Sequence, residues 1–317
     1  MPSRLVAVPV LCLLFVLLWS SGFIGAKAGL DHAGTFTILF WRYLLVAAVL
    51  AALVTLAGQW RRIPISELKR HAAVGALAHA GWLAAVLGAI DLGLSAGLAA
   101  FITALQPILT GAFSARLTGE PVARREWAGL LLGLIAVAVV IGDSVSLGGS
   151  LLAHILPFLA VMAITAASLI DRGANLRTDA PTPLLLVTFW HCVASLIVLA
   201  PFAIGLEGLQ AEWTGGLIFA IVWLALVVSL AAYGLMFLLL RRLSAPRVAS
   251  LTYLSPPVTM VMAWLVFGET LTLAGVAGLT IAAVAVWLTL SARRGDVVVV
   301  VEENRQADGN RRASGRI

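Results

Sequence analysis

Two stretches decide the fold: residues 106–120, QPILTGAFSARLTGE, and residues 255–269, SPPVTMVMAWLVFGE. Each sets a proline ahead of a Gly-Glu pair at the same spacing, Pro107 before Gly119-Glu120 and Pro256 before Gly268-Glu269, and the two copies stand 149 residues apart. At that offset Phe40-Trp41 falls on Phe189-Trp190, Leu105 on Leu254 and Gly129 on Gly278, with no gap. Around them lie ten apolar segments of spanning length, near 6–27, 36–57, 72–92, 96–116, 126–142, 151–170, 183–204, 216–240, 247–267 and 273–291, each close to the roughly 20 residues that cross a bilayer as a helix. Five spans per half is an odd number, so the second copy enters the membrane from the opposite side. The sequence therefore predicts an all-α integral membrane protein with ten transmembrane helices in two inverted five-helix repeats. Such a repeat carries a pseudo-two-fold axis in the membrane plane and a site where the halves meet. The first repeat is expected over 1–145, the second over 146–292, and a disordered cytoplasmic tail over 293–317.

Composition agrees. Apolar residues are 61% of the chain, charged residues 11%, and the mean hydropathy is +1.03, against roughly 45–50% and about 25% in soluble domains. Ten helices leave short connections and no space for a soluble catalytic domain. The net charge of +6 follows topology and does not indicate a nucleic-acid partner. Cys12 and Cys192 both fall inside apolar segments, which reads as two buried thiols and no structural disulfide. The first span, preceded by Arg4 and ending at Ala26-Lys27-Ala28, superficially resembles a secretory signal, but it is longer than a signal core of about 7–15 residues.

The basic residues alternate. Arg4, then Arg61, Arg62, Lys69 and Arg70, then Arg116, Arg124 and Arg125, then Arg172 and Arg177, then Arg241, Arg242 and Arg247, and finally the arginines of the tail fall on every second connection. The other connections carry Asp31, Asp91, Asp143, Glu207, Glu212 and Glu269. The positive-inside rule then puts both termini in the cytoplasm of a multi-pass protein.

Lys27 and Arg42 are the two cations outside this pattern. A cation within the bilayer costs about 2.5–3.5 kcal/mol on insertion scales and usually faces a partner or a watery cavity. Lys27 either snorkels to the outer headgroups or lines the path. Arg42, deeper in the second span, either lines or gates the path or anchors helix-end carbonyls; at the repeat offset it stands opposite His191. No carboxylate sits at mid-depth in any span. A proton-coupled carrier would therefore have to use His79 or His191, whose ordinary pKa near 6.5 permits it; interhelical hydrogen bonding is the other reading of each. Trp19 and Ser20 sit in a small-residue stretch of the first span, with Ser168 opposite Trp19 in the repeat; Trp82 and Tyr233 are candidate aromatic walls. Gln106 precedes Pro107, and Ser255 precedes Pro256-Pro257. Prolines inside spans kink helices, and matched breaks in both halves point to a central site. The alternative is that they only shape packing. Gly129 and Gly133 form a small-residue spacing that brings helices close, within one chain or between two, so the chain is read as a monomer or a homodimer.

Trp19-Ser20-Ser21-Gly22-Phe23, Lys27, Phe40-Trp41-Arg42-Tyr43 and the doubled Pro…Gly-Glu stretches together resemble the drug/metabolite transporter superfamily, in its EamA-type ten-helix branch, over about residues 5 to 291. The resemblance implies a bacterial inner-membrane carrier, often an exporter of amino acids or related metabolites, with a cavity bounded by both repeats and cations at the positions of Lys27 and Arg42. Leu176 opposite Lys27 and His191 opposite Arg42 imply an asymmetric site.

The leading expectation is thus a secondary transporter of small metabolites, an exporter of amino acids or related carboxylate-bearing solutes that works by alternating access. A flippase of a lipid or lipid-linked sugar is the alternative with the same fold. An integral-membrane enzyme is more remote: the sequence shows no His-Glu-x-x-His, no paired intramembrane aspartates and no serine–histidine set at one depth. Accordingly no catalytic residue, metal or cofactor is expected, and the partners are a small-molecule solute and the lipid bilayer.

Overall fold

The computed structural model describes residues 8–106, 109, 128, 131–136, 138–139, 150–175, 182–240, 242, 248, 251–269 and 272–291. Among them the regular elements are all helical: α1 (Val8–Leu30), α2 (Thr35–Leu56), α3 (Ile65–Asp91), α4 (Ala96–Thr103), α5 (Leu151–Asn175), α6 (Leu184–Gly205), α7 (Gly215–Leu239), α8 (Ser255–Phe267) and α9 (Leu273–Ser291). These correspond to predicted spans one to four and six to ten, and residues 131–136 and 138–139 are helical within the fifth. Among the described residues six helices, α1, α2, α3, α5, α6 and α7, are long and apolar enough to cross a membrane. Pro107, Glu120, Gly129, Leu176 and the tail beyond Ser291 lie outside the described residues.

The repeat shows in the packing. α2 runs against α6, and α4 against α8. Each pair joins a helix to its repeat mate, so both contacts lie along the pseudo-two-fold axis. α1 packs on α7 and α8, and α3 on α5 and α6. Without a hydrophobic force between helices in lipid, close backbone approach supplies much of the cohesion. Gly75 of α3 shows this: a Cβ there would sit 2.5 Å from the His191 carbonyl oxygen of α6. At that crossing the Ser195 hydroxyl lies 3.0 Å from the Gly75 carbonyl oxygen and 2.7 Å from that of His191. On α1, Gly22 likewise leaves room for Val228 of α7, whose Cγ1 would lie 3.0 Å from an added Cβ.

Two helices leave α geometry in mid-course. α3 is π-helical over Ala76–Gly81 and α7 over Trp223–Ala232. Shifting 76–81 by the repeat offset gives 225–230, inside the second segment, so the symmetry extends to the backbone irregularity itself. Turns of this kind cluster at functional sites. In α8, a 3₁₀ turn over Thr252–Leu254 gives way to α-helix at Ser255, with prolines in the first turn, where a missing N–H costs nothing. Pro256 and Pro257 thus follow directly on a change from 3₁₀ to α geometry within a continuous helical stretch. Ser20 is fully buried and donates to the Ser255 hydroxyl at 3.1 Å, joining α1 to α8 at that point.

The bundle has two ends. At the end bearing the α1–α2 connection, Glu207, from the α6–α7 connection, accepts from the backbone N–H of Phe36 at 3.0 Å and Thr37 at 2.6 Å. The α2 N-cap is Gly34, which has no side chain to offer, so a carboxylate from the other repeat satisfies the orphan donors and the helix dipole. Glu212 N–H donates to the His32 carbonyl at 2.9 Å, and Ala33 bridges to Ala211. These contacts tie the two connections together.

Replacing Gly75 with valine should force α3 away from α6 and cost about 1–3 kcal/mol, as overpacking does. A lowered melting temperature of the purified protein in detergent, followed by tryptophan fluorescence, is the expected result.

Candidate functional site

Arg42 reaches the bundle interior from α2 and is only 4% exposed. Its Nε and Nη2 both donate to one oxygen, the Ser229 hydroxyl of the α7 π segment, at 3.0 and 2.9 Å. Ser229 in turn donates to the Leu224 carbonyl at 2.9 Å, five residues back. The Leu224 carbonyl thus orients the serine, and the serine orients the guanidinium. Among the described residues no carboxylate lies within 4.0 Å of Arg42. The Tyr43 hydroxyl beside it is buried and, among the described residues, lacks a hydrogen-bond partner. A guanidinium has five donors, and a neutral hydroxyl answers only part of them. The pair presents unspent donors to an oxygen-bearing ligand.

These groups line a central chamber with Trp19, Trp82, His79 and Tyr233. Trp19 packs on Tyr233 with ring centroids 5.4 Å apart, and His79 lies 6.0 Å from Tyr43 and 6.1 Å from Tyr233. The chamber holds only about 50 Å³, space for a few water molecules. Beyond it, toward the end of the bundle bearing the α2–α3 connection, a vestibule of about 570 Å³ opens between α3, α5, α6 and α7. His79, Thr188 and Tyr233 line both spaces and form the waist between them.

The vestibule wall carries a polar chain. His191 Nε2 is 3.3 Å from His71 Nδ1, and His71 Nε2 is 3.5 Å from Glu67 Oε1. Arg70 lies 3.8 Å from Glu67, which also accepts from Thr182. A tilted ring contact continues it inward, with His79 5.7 Å from His191.

The opposite end carries an ion pair between the repeats. Lys27 pairs with Glu269, lies 4.8 Å over the Phe267 ring, and Glu269 also accepts from Ala96 N–H at 3.4 Å, at the start of α4. One residue from each repeat thereby meets the other at the end of the bundle away from the vestibule.

Of the residues expected from sequence, Arg42, Trp19, His79, Trp82 and Tyr233 meet in the chamber, while His191 and Ser168 line the vestibule. Lys27 forms the ion pair between the repeats, and Ser20, Pro256 and Pro257 belong to the α1–α8 junction. Gln106 is partly buried at a helical position just after α4, apart from the chamber lining. Pro107 is outside the described residues. Sequence reasoning passed over Ser229, His71 and the role of Glu269. A solitary hydroxyl in the apolar run Leu224–Ala232 was the available signal for Ser229; a partner 242 residues from Lys27 gave none.

Two helical repeats that meet around an internal chamber have the architecture of a membrane transporter. The EamA-like transporter family model matches residues 7–142 and again 151–291, and the chain belongs to that family. Two relatives named "Probable amino-acid metabolite efflux pump" share its sequence: that of Salmonella typhimurium strain LT2, 29% identical over 83% of this chain and 87% of its own, and that of Escherichia coli K12, 28% identical over 83% and 88%. The E. coli K12 "Uncharacterized inner membrane transporter YedA" is 25% identical over 80% of this chain and 81% of its own. A solved structure titled "Crystal structure of protein" has the same fold, with a TM-score of 0.65 at 20% identity over 90% of this chain and 98% of that chain.

Ser229→Ala should leave Arg42 without its side-chain acceptor and destabilise the protein by about 1–3 kcal/mol, read as a lower melting temperature; Ser229→Thr should restore it.

Proposed function

We propose that this chain is a secondary carrier that exports small carboxylate-bearing metabolites, amino acids or close relatives, across the inner membrane by alternating access. One observation carries the reading: a buried arginine at the meeting of the two repeats, held by a neutral serine, with the orphan Tyr43 hydroxyl beside it. The efflux names of the two relatives support the direction. Positive-inside alternation favours putting the vestibule end, flanked by Arg61, Arg62, Lys69 and Arg70, in the cytoplasm, with both termini.

On this reading the described state is open inward. A solute enters the vestibule and passes the waist of His79, Thr188 and Tyr233. Its carboxylate takes the spare donors of Arg42 and Tyr43, and its apolar part meets Trp19, Trp82 and Tyr233. The waist then narrows, and separation of Lys27 from Glu269 frees the outer exit. Binding at a repeat interface is what lets one site face each side in turn.

Arg42→Ala should abolish transport in proteoliposomes while membrane insertion persists; unchanged transport would end this reading. Glu269→Gln in a Cys12→Ala background should raise several-fold the labelling of Cys192, which lines the chamber, by an impermeant thiol reagent added outside intact cells. Labelling at the parent rate would deny the ion pair its gating role.

A further inference from the structure

The charges around the chamber are unbalanced. Arg42 has no carboxylate within 4.0 Å among the described residues, Lys27 is already neutralised by Glu269, and none of the described lining residues is acidic. The whole sequence says the same: every Asp and Glu falls near a span end, in a connection or in the tail. The rest of the chamber wall is dominated by Trp19, Phe23, Trp82, Leu83 and Val86.

From this we infer that the preferred solute is a net monoanion, an apolar carboxylate whose amino group is masked or absent (an N-acyl amino acid or 2-oxo acid), and that its export is driven by the membrane potential without a coupling ion. The inference rests on the exporter reading above and sharpens it. A zwitterionic amino acid that places its carboxylate on Arg42 brings its ammonium within a few ångströms of a guanidinium, in a space with no acid to receive it. Burying a charge without a partner is strongly disfavoured. Aromatic faces offer an ammonium some compensation, but an acylated nitrogen gains the same contacts without being desolvated as an ion. An anion leaving a cell that is negative inside moves down its electrical gradient. A potential of about 100 mV shifts the equilibrium ratio of a monovalent anion about 50-fold. A zwitterion receives no such drive: it would leave only down its own concentration gradient or with a coupled proton, for which the spans offer histidines and no mid-depth carboxylate.

The test uses the full chain in proteoliposomes loaded with radiolabelled N-acetyl-L-phenylalanine or L-phenylalanine, with a potassium gradient and valinomycin setting the inside negative. The sign of the drive does not depend on how the carriers are oriented. N-acetylphenylalanine efflux should accelerate at least several-fold when valinomycin is added, and phenylalanine efflux should not. Arg42→Lys, which keeps the charge, should retain part of this and Arg42→Gln none, although the wild-type comparison decides the matter without either variant. Phenylalanine carried as well as its N-acetyl derivative, or N-acetyl efflux indifferent to valinomycin, overturns the inference and leaves the exporter reading standing. Efflux that follows an imposed pH gradient instead would assign coupling to the His71–His191–His79 chain, with Glu67, Arg70, Asp171, Arg42, Tyr43 and Tyr233 around it, and would also overturn it. Movement of neither solute, nor of a panel of amino acids, overturns both.

Discussion

A guanidinium inside a membrane bundle must be hydrogen-bonded, and Arg42 constrains everything near it. Its charge costs several kcal/mol to desolvate unless the surroundings answer it. Here the answer is one serine hydroxyl, which sits within the π segment Trp223–Ala232 and donates to the Leu224 carbonyl five residues back. The local backbone irregularity, the buried cation and the small chamber therefore meet at one place. The vestibule completes the arrangement, because a cation with spare donors is tolerable only within reach of water or solute.

The ion pair at the other end obeys a different energetic rule. The Lys27 and Glu269 side chains keep 30% and 18% of their exposure, so solvent screens them. Exposed pairs contribute about 0–1 kcal/mol, and desolvation offsets part of what a partly buried pair gains. Inverting a two-state equilibrium from 1:99 to 99:1 requires about 5.5 kcal/mol of differential binding. On the proposed cycle, one part-hydrated ion pair and a ring contact would leave most of that energy to be supplied by the solute. The contacts of Glu207 with the α2 N-terminus are of another kind: they join connections within the same end and survive any motion that keeps α2 with α6.

How much of this was legible in the sequence follows from what each feature depends on. Spans are set by apolar length, and all six long apolar helices lie where the runs predicted them. Inversion is set by parity, which counting gives. Arg42, Trp19, His79, Trp82 and Tyr233 could be chosen because a polar or large aromatic side chain in an apolar run has to be accommodated somewhere. Partnerships were another matter. Nothing local links Lys27 to Glu269 or Arg42 to Ser229, since each pair spans the two repeats and arises only from the threading of the bundle. The π segments were equally hidden: ALAHAG and the run from Trp223 to Ala232 have ordinary helical composition, and the extra residue per turn is imposed by packing. Pro256-Pro257 marks a change of backbone geometry, since a 3₁₀ turn passes into α-helix at Ser255 just before them.

The symmetry of the two π segments bears on the proposed cycle. Inverted repeats reach the opposite-facing state when each half adopts the conformation of the other. The segments at Ala76–Gly81 and Trp223–Ala232 mark corresponding points in α3 and α7, the helices that bring His79, Trp82, Ser229 and Tyr233 to the chamber. A π turn carries a residue more than an α turn, so its slack can shift along a helix without breaking the ends. Rocking one half against the other then requires only that α3 and α7 exchange how far their extra residue is displaced. The charged positions do not repeat: at the repeat offset Arg42 corresponds to His191 and Lys27 to Leu176. On the proposed cycle a symmetric scaffold with an asymmetric charge pattern would bind its solute unequally in the two states, and that inequality would let the resting state face one side.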